Sequence, residues 1–313
     1  MIGYFIRRLL FAIVLVVAVS SASLVLVRIA PGDFVTTALA QQNASTAAIE
    51  QARARYGLDR SAGAQLRDWL AGAVRFDFGR SMQYDRPVAD LIPERAMNTG
   101  ILALTALAVA TVIGLPLGVF TGTRRHGFVP ALVRGISVLL LSMPPLLTSL
   151  FLVFVAAKSR LLPVGGMTTS SGEGLLSHMV VPVAALALPL VAMFERLQSQ
   201  AMSETIGQPF VIATLGRGVP LSRVIWRDAL KNALKPVVSI YGLVVGTLLS
   251  GSFAVETVTA WPGLGQLMLN ALRARDVYLV AGCAAAGAVF LAIGTLMSDA
   301  ALAFVDPRST TSG

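Results

Sequence analysis

The chain has 313 residues, of which 55% are hydrophobic and only 13% are charged, and its formal net charge is +9. Its apolar residues cluster in blocks of about 20, the length that a helix needs to cross the hydrocarbon core of a bilayer. A soluble protein of this length would not need such blocks, so the composition predicts an all-α integral membrane protein. Most basic residues flank the blocks, which favours a role in membrane topology over nucleic-acid binding.

Six apolar segments are long enough to be predicted as membrane spans: 9–27, 99–122, 132–157, 178–197, 236–258 and 278–304. The first follows Arg7-Arg8 and superficially resembles a signal peptide. Its length, and the lack of a clear small-residue cleavage pattern before Arg28, favour a retained anchor.

Lysine and arginine in short loops predict the orientation. With the N-terminus inside, twelve of these residues fall on cytoplasmic segments and four on short outer loops. The other nine lie in the segment 28–95, which is long enough to escape the rule. We therefore expect cytoplasmic termini and divide the chain into the first span with an outer loop, a five-span core that includes a cytoplasmic loop, and a tail. The ranges are 1–98, 99–304 with the loop at about 198–235, and 305–313.

Small residues and prolines mark special positions inside the spans. Gly114, Gly118 and Gly122 recur every four residues, a spacing that lets helix backbones approach closely. This pattern indicates either plain tight packing or contacts that slide when the bundle rearranges. The consecutive prolines of Ser142-Met143-Pro144-Pro145 must kink the third span, because they remove backbone donors. The freed carbonyls favour a position against a polar cavity.

Ionisable residues near the spans are few, and Glu195 and Arg196 are two of them. Both lie near the predicted end of the fourth span, which favours interfacial pairing over a role deep in the membrane. A proton relay would need several such groups at mid-membrane.

Sequence motifs for chemistry are missing from the chain. It contains no Gly-x-x-x-x-Gly-Lys phosphate loop, no His-Glu-x-x-His pattern and one cysteine, Cys283. The Trp261–Gly265 segment lacks the third glycine of a dinucleotide fingerprint and is better interpreted as a turn before a helix. We predict no catalytic, cofactor-binding or metal-ligating residue, and no enzyme activity in this chain alone.

A polar, basic segment, Val211–Pro236, separates the fourth and fifth spans. A short helix over Phe210–Leu215 should end at Gly216 or Gly218, since glycine favours a helix C-cap. A second, amphipathic helix should follow from Leu221 to Leu234, with a basic stripe that could meet anionic lipid headgroups. The short apolar helix needs a groove to receive it, which predicts a docking surface for a cytoplasmic partner.

Motifs in order along nearly the whole chain resemble the inner-membrane permease of a dipeptide/oligopeptide-type ABC importer. They are Phe5-Ile6-Arg7-Arg8-Leu9-Leu10, Pro31-Gly32-Asp33, Tyr56-Gly57-Leu58-Asp59, Phe78-Gly79-Arg80-Ser81, Ser142-Met143-Pro144-Pro145, Leu162-Pro163-Val164-Gly165-Gly166, the segment Val224–Leu234, Glu256-Thr257-Val258, Trp261-Pro262-Gly263-Leu264-Gly265 and Asp306-Pro307-Arg308.

The resemblance implies a six-transmembrane-helix type I ABC importer permease fold with an extracytoplasmic loop after the first helix, in the bacterial inner membrane. It implies three kinds of partner: a second homologous permease, two ATP-binding subunits and an extracytoplasmic solute-binding protein. ATP would be bound by the partners, and this chain would hold no cofactor. The residues expected to couple it to the ATP-binding subunits are Phe210, Val211, Ala213, Thr214, Leu215, Arg217 and Gly218.

Some positions in this sequence depart from the family pattern. Ile212 and Leu215 stand where the family often has basic residues, so the expected docking surface is unusually apolar.

Ser142, Pro144 and Pro145 are nominated for the translocation pathway. The alternatives are a proton-coupled secondary transporter and a membrane receptor. Peptides, nickel chelates, opines, sugars and glutathione all remain candidate cargoes.

Overall fold

The computed structural model describes residues 2–30, 32–35, 46–124, 126–167 and 174–305. Within these ranges every regular element is helical, and the one strand-like pairing is an isolated bridge between Arg80 and Pro87. The helices are α1 (Ile2–Ile29), α2 (Thr46–Arg55), α3 (Ala62–Ala73), α4 (Val88–Thr123), α5 (Phe128–Leu141), α6 (Pro145–Ser159), α7 (Leu175–Ile206), α8 (Pro209–Gly216), α9 (Leu221–Arg223), a π-helical segment (Val224–Ala229), α10 (Leu230–Ala233), α11 (Lys235–Ser239), α12 (Tyr241–Val258), α13 (Leu264–Ala274) and α14 (Val277–Val305).

Five of the described helices are long and apolar enough to cross a membrane, and the bent pair α5–α6 makes a sixth candidate. The predicted all-α membrane fold is therefore confirmed. The helices extend beyond the predicted spans: α4 has 36 residues, about 54 Å at 1.5 Å per residue. A hydrocarbon core is only about 30 Å thick, so part of this helix lies outside it. Hydropathy marks the apolar part of a helix and not its polar extension.

The kink predicted at Ser142–Pro145 is a sharp break. Helix α5 ends at Leu141, α6 begins at Pro145, and the two axes differ by 107°. Pro144 is extended, with φ −59° and ψ 146°, and Pro145 occupies the first turn of α6, where its missing N–H breaks no helical hydrogen bond. The two prolines thus end one helix and start the next.

The chain forms two compact units, and the first consists of Met1–Gly100 with Pro262–Ala292. Helices α1 and α3 pack in this unit through an apolar cluster that includes Leu24 and Trp69. The Trp69 indole N–H also donates to the Phe78 carbonyl oxygen at 3.1 Å. Most apolar side chains of α1 are exposed, as expected for a helix that faces lipid.

A fully buried carboxylate holds the loop before α4. The Asp276 side chain accepts hydrogen bonds from the Ser81 hydroxyl at 2.6 Å and from the backbone N–H groups of Gln83 and Leu279 at 3.0 and 3.1 Å. The Leu279 bond caps the first turn of α14. Gly79 lies beside Tyr278 with φ +84°, a conformation that favours glycine. These contacts explain why Phe78–Ser81 forms a recognisable motif.

The second unit consists of Ile101–Trp261 with Ile293–Gly313. Its largest apolar cluster includes Leu102, Phe194 and Trp261. Phe194 stacks on Tyr241 with ring centroids 5.2 Å apart, and the Tyr241 hydroxyl is 2.8 Å from the hydroxyl of Thr111.

Gly114, Gly118 and Gly122 face α7 in this second unit. A Cβ atom built on Gly118 would lie 2.6 Å from the Gln198 Cβ and 2.7 Å from the Glu195 carbonyl oxygen, and one on Gly122 would lie 2.5 Å from the Ser199 carbonyl oxygen. The close backbone approach predicted for this glycine stripe is confirmed. Sliding at this contact stays a prediction.

Candidate functional site

The segment after α7 begins with a short, well-bounded helix. Gly207 ends α7, Gln208 is extended, and Pro209 opens α8 at a position where its missing N–H breaks no bond. Gly218 follows the helix with φ +81°, and its N–H donates to the Leu215 carbonyl at 2.9 Å. Helix α8 therefore matches the predicted short helix closely and is followed by the glycine turn.

One face of α8 is anchored in an apolar cluster. Val211 is fully buried beside Met202 of α7 and Val224 of the π-helical segment. Thr214 is buried too, its hydroxyl donating to the Phe210 carbonyl at 2.8 Å and accepting from the Arg217 guanidinium at 3.1 Å. Val211 and Phe210, two of the predicted coupling residues, thus attach the helix to its own subunit through this cluster. The hydrogen bonds of Thr214 lie within α8 and its C-cap.

The neighbouring face of α8, about 100° around the helix, exposes two large apolar side chains. The side chains of Ile212 and Leu215 are 61% and 37% exposed, and Ala213, Arg217 and Gly218 are exposed beside them. Ile212 was expected on the docking surface but was not named among the coupling residues, and it is the more exposed of the two large apolar side chains. Its spacing of three from Leu215 places both on one helix face, which is the signal that identifies it.

A groove of about 670 Å³ lies between α8 and residues 227–232, which belong to the π-helical segment and α10. On the α8 side its walls include Ala213 and Arg217, and on the other side Arg227, Asp228 and Lys231. Three cationic side chains and one carboxyl group line it, so the groove is basic.

The predicted amphipathic helix from Leu221 to Leu234 forms as three consecutive helical pieces with a π-helical middle, Val224–Ala229. The Leu230 N–H bonds back to the Ile225 carbonyl, five residues earlier, as a π-helix requires. The wider turn keeps Val224, Ala229 and Ala233 buried together although their spacing is five and then four.

Ser142, Pro144 and Pro145, nominated for the translocation pathway, lie at the break between α5 and α6. The Ser142 hydroxyl donates to the Val138 carbonyl of its own helix at 2.9 Å. Pro145 packs near Gly251 of α12, where an added Cβ would meet its ring at 3.4 Å. The break positions these residues, and their part in a pathway stays a prediction.

A second cavity, called the polar cavity here because charged and hydroxyl side chains line it, was not foreseen. It has a volume of about 350 Å³ and lies between α4, α5 and α7, lined by residues that include Thr121, Arg134, Ser137, Glu195 and Arg196. Glu195 is only 1% exposed and accepts a hydrogen bond from the Thr121 hydroxyl at 2.5 Å. Glu195 lies on α7 eleven residues before the helix ends at Ile206. Its position at a membrane interface stays a prediction.

The described part of the chain contains no candidate metal site. No group of three or more His, Cys, Asp or Glu side chains is arranged there to hold an ion. Cys283 is buried within α14.

Two protein-family models match this chain. The family of binding-protein-dependent transport system inner membrane components matches residues 114–311. The model of the N-terminal part of these membrane components matches residues 1–101. The oligopeptide transport system permease protein of Bacillus subtilis is 31% identical over 98% of this chain and 99% of its own length. The dipeptide transport system permease proteins of Bacillus subtilis and Escherichia coli are 29% and 28% identical, each over 98% of both chains.

Proposed function

Because the chain belongs to the family of binding-protein-dependent transport system inner membrane components, and is thus the permease half of an ATP-driven importer, we propose that its cargo is a peptide. The names of three relatives that match almost end to end support this cargo, since they are oligopeptide and dipeptide permeases. The relatives are named as transport permeases, and the chain is a multi-pass membrane protein with the type I ABC permease fold.

The proposed complex contains a second permease, two ATP-binding subunits and an extracytoplasmic solute-binding protein. In the proposed orientation both termini and the loop at about 198–235, which contains α8 to α10, are cytoplasmic. The excess of lysine and arginine on these segments supports it. ATP would be bound by the ATP-binding subunits.

The exposed apolar face of α8 carries the coupling part of the proposal. Large apolar side chains on a short protruding helix gain stability when a partner's groove covers them. Ile212 and Leu215 supply that face, while Val211 and Phe210 pack in the cluster that anchors the helix. A helix held in this way suits docking into an ATP-binding subunit.

Motion would pass from the docked helix into the membrane through close-packed contacts. The cluster around Val211 includes Met202 of α7 and Val119 of α4. Packed interiors have low compressibility and transmit displacement. When the ATP-binding subunits close and push α8, α7 and α4 should follow it.

The first test is the variant Gly218→Asp. Nothing lies within 4 Å of a Cβ built at this position, and aspartate tolerates a positive φ better than most residues, so the fold should survive. The new charge would have to be buried against the partner, which is costly. We expect normal membrane insertion, loss of peptide uptake, and loss of ATP-hydrolysing subunits from the chain purified in mild detergent.

Gly166→Asp is the matched control. Gly166 also has φ +81° with nothing within 4 Å of a built Cβ, but it lies in the loop after α6. This variant should retain the ATP-binding subunits. Normal uptake by Gly218→Asp would overturn the coupling assignment. Recovery of the wild-type chain without an ATP-hydrolysing partner would overturn the proposed assembly.

A further inference from the structure

The polar cavity between α4, α5 and α7 combines charges of both signs in a small space. Thr121 connects them, because its hydroxyl donates to the Glu195 carboxyl at 2.5 Å and its carbonyl accepts from the Arg134 guanidinium at 3.4 Å. Arg196 adds a second cation to the lining. One buried carboxyl group and two arginine side chains therefore line the same cavity.

The position of this cavity within the helices is specific. Thr121 lies in the last turn of α4, Arg134 in the second turn of α5, and Glu195 eleven residues before the end of α7. In the proposed orientation all three positions lie towards the cytoplasmic side of their helices. Ionisable groups in membrane-spanning helices are costly and are candidates for functional sites.

Close packing of α4 against α7 builds one wall of the cavity. Gly122 lies in that wall, and any side chain there would collide with the Ser199 backbone, since a Cβ would lie 2.5 Å from its carbonyl oxygen. Ser199 and the buried Ser137 add hydroxyl groups to the lining. The space of about 350 Å³ falls within the range of roughly 300–1,000 Å³ that is typical of small-molecule sites.

The chemistry of the lining fits a zwitterion. Two guanidinium groups and neighbouring hydroxyls suit a carboxylate, which arginine can bind through two parallel hydrogen bonds. The Glu195 carboxyl suits an ammonium group and disfavours a ligand that carries negative charge alone. A short peptide presents both groups at its two ends.

We propose that this cavity is a binding site for the termini of a short peptide as it leaves the permease on the cytoplasmic side. The inference rests on the proposed function, and it assigns a cargo site to residues outside the break between α5 and α6. A zwitterionic phospholipid headgroup has related chemistry. The low exposure of Glu195 and Ser137 favours a free peptide, because a headgroup tethered to its acyl chains remains at the surface.

Thiol protection tests the site in the assembled complex. The single native cysteine, Cys283, is buried and should label slowly. Ser199→Cys places a thiol in the lining, and Gln200→Cys provides a second, exposed position if the first variant is poorly assembled. Ser222→Cys, exposed on α9 and outside the lining, is the control. Each complex is reconstituted in bilayer nanodiscs and labelled with a neutral maleimide.

Dialanine should slow labelling in the cavity and leave Ser222→Cys unchanged. At about 10 times its dissociation constant it should slow the reaction about 10-fold by mass action. N-acetylalanine amide, which lacks both charges, should protect much less. Glu195→Gln and Arg196→Gln, each introduced beside the reporter cysteine, should remove the protection.

Labelling that dialanine does not slow at any concentration would overturn the inference. So would protection that follows the phosphatidylethanolamine content of the nanodisc and ignores the peptide. ATP-dependent uptake, measured on the same complexes in vesicles with the solute-binding protein, separates the two proposals. Peptide uptake without protection of the cavity cysteine from labelling would refute the cavity assignment alone. Absence of peptide uptake by the wild-type complex would refute the proposed function.

Discussion

The two largest segments outside the spans are held to their own units by different forces. The loop between α3 and α4 is held by directional polar contacts: the Trp69 indole on the Phe78 carbonyl, and Asp276 on Ser81 and Gln83. Helix α8 is held by apolar burial, chiefly of Val211. Polar contacts fix one geometry, whereas an apolar anchor behind an exposed apolar face suits a helix that a partner has to cover.

Each segment also contains a glycine with a positive φ. Gly79, at +84°, touches the Tyr278 ring, and Gly218, at +81°, has no neighbour within 4 Å of a built Cβ. Both positions therefore have a backbone conformation that favours glycine, and they differ in the side chains that surround the glycine. Paired variants can separate the two contributions.

The largest effect is expected from the double variant Ile212→Asp with Leu215→Asp. Both side chains are exposed, so the stability of the subunit should change by no more than about 0.5 kcal/mol per site. Two carboxylates buried against a partner would cost several kcal/mol, and each 1.4 kcal/mol weakens binding about tenfold. Co-purification of ATP-binding subunits and peptide uptake should both be lost.

Leu272→Asp provides the control for that variant. Leu272 is also an exposed leucine, but it lies in α13 of the first unit. It should leave recovery of the ATP-binding subunits unchanged. Retention of those subunits by the double variant would show that α8 is not the docking surface.

A smaller but clear effect is expected from Asp276→Asn, measured by thermal unfolding in detergent. The change replaces a buried acceptor of three hydrogen bonds with an amide that cannot accept them all. Hydrogen bonds to a charged group contribute about 1.5–3 kcal/mol each, so a loss of roughly that size is expected.

Asp85→Asn is the matched control, because it changes an exposed carboxylate in the same loop. Its ion pair with Arg80, at 2.9 Å, is exposed on both sides and should contribute at most about 1 kcal/mol. Equal losses of stability in the two variants would contradict the assignment of Asp276 as the main anchor of this loop.

The smallest effects are expected from Gly79→Ala and Gly218→Ala. A left-handed conformation costs a non-glycine residue about 1–2 kcal/mol, and both variants should show that loss. Gly79→Ala should lose more, because its Cβ would lie 3.1 Å from the Tyr278 ring. The difference between the two melting temperatures measures the contact with the ring, and a larger loss at Gly218 would refute this account.

Several features of the molecule could be predicted from sequence because they depend on neighbouring residues. Apolar runs predict membrane spans, since the length of a run has to match the bilayer. Prolines 144 and 145 predicted an interruption of the third span, because the missing donors are local. The glycine spacing on α4 predicted a close helix contact. The glycines at 216 and 218 predicted that α8 ends at one of them, and it ends at Gly216. In each case the deciding atoms belong to residues a few positions apart.

Only the tertiary structure decided which side chains meet across long separations. Ser81 and Asp276 are 195 positions apart, and Thr121 and Glu195 are 74 apart, so no local pattern pairs them. No local pattern shows that Glu195 is buried beside Thr121, because α4 and α7 meet only when the chain folds. Composition sets which segments are apolar, but the partner of a buried polar group depends on how the helices pack.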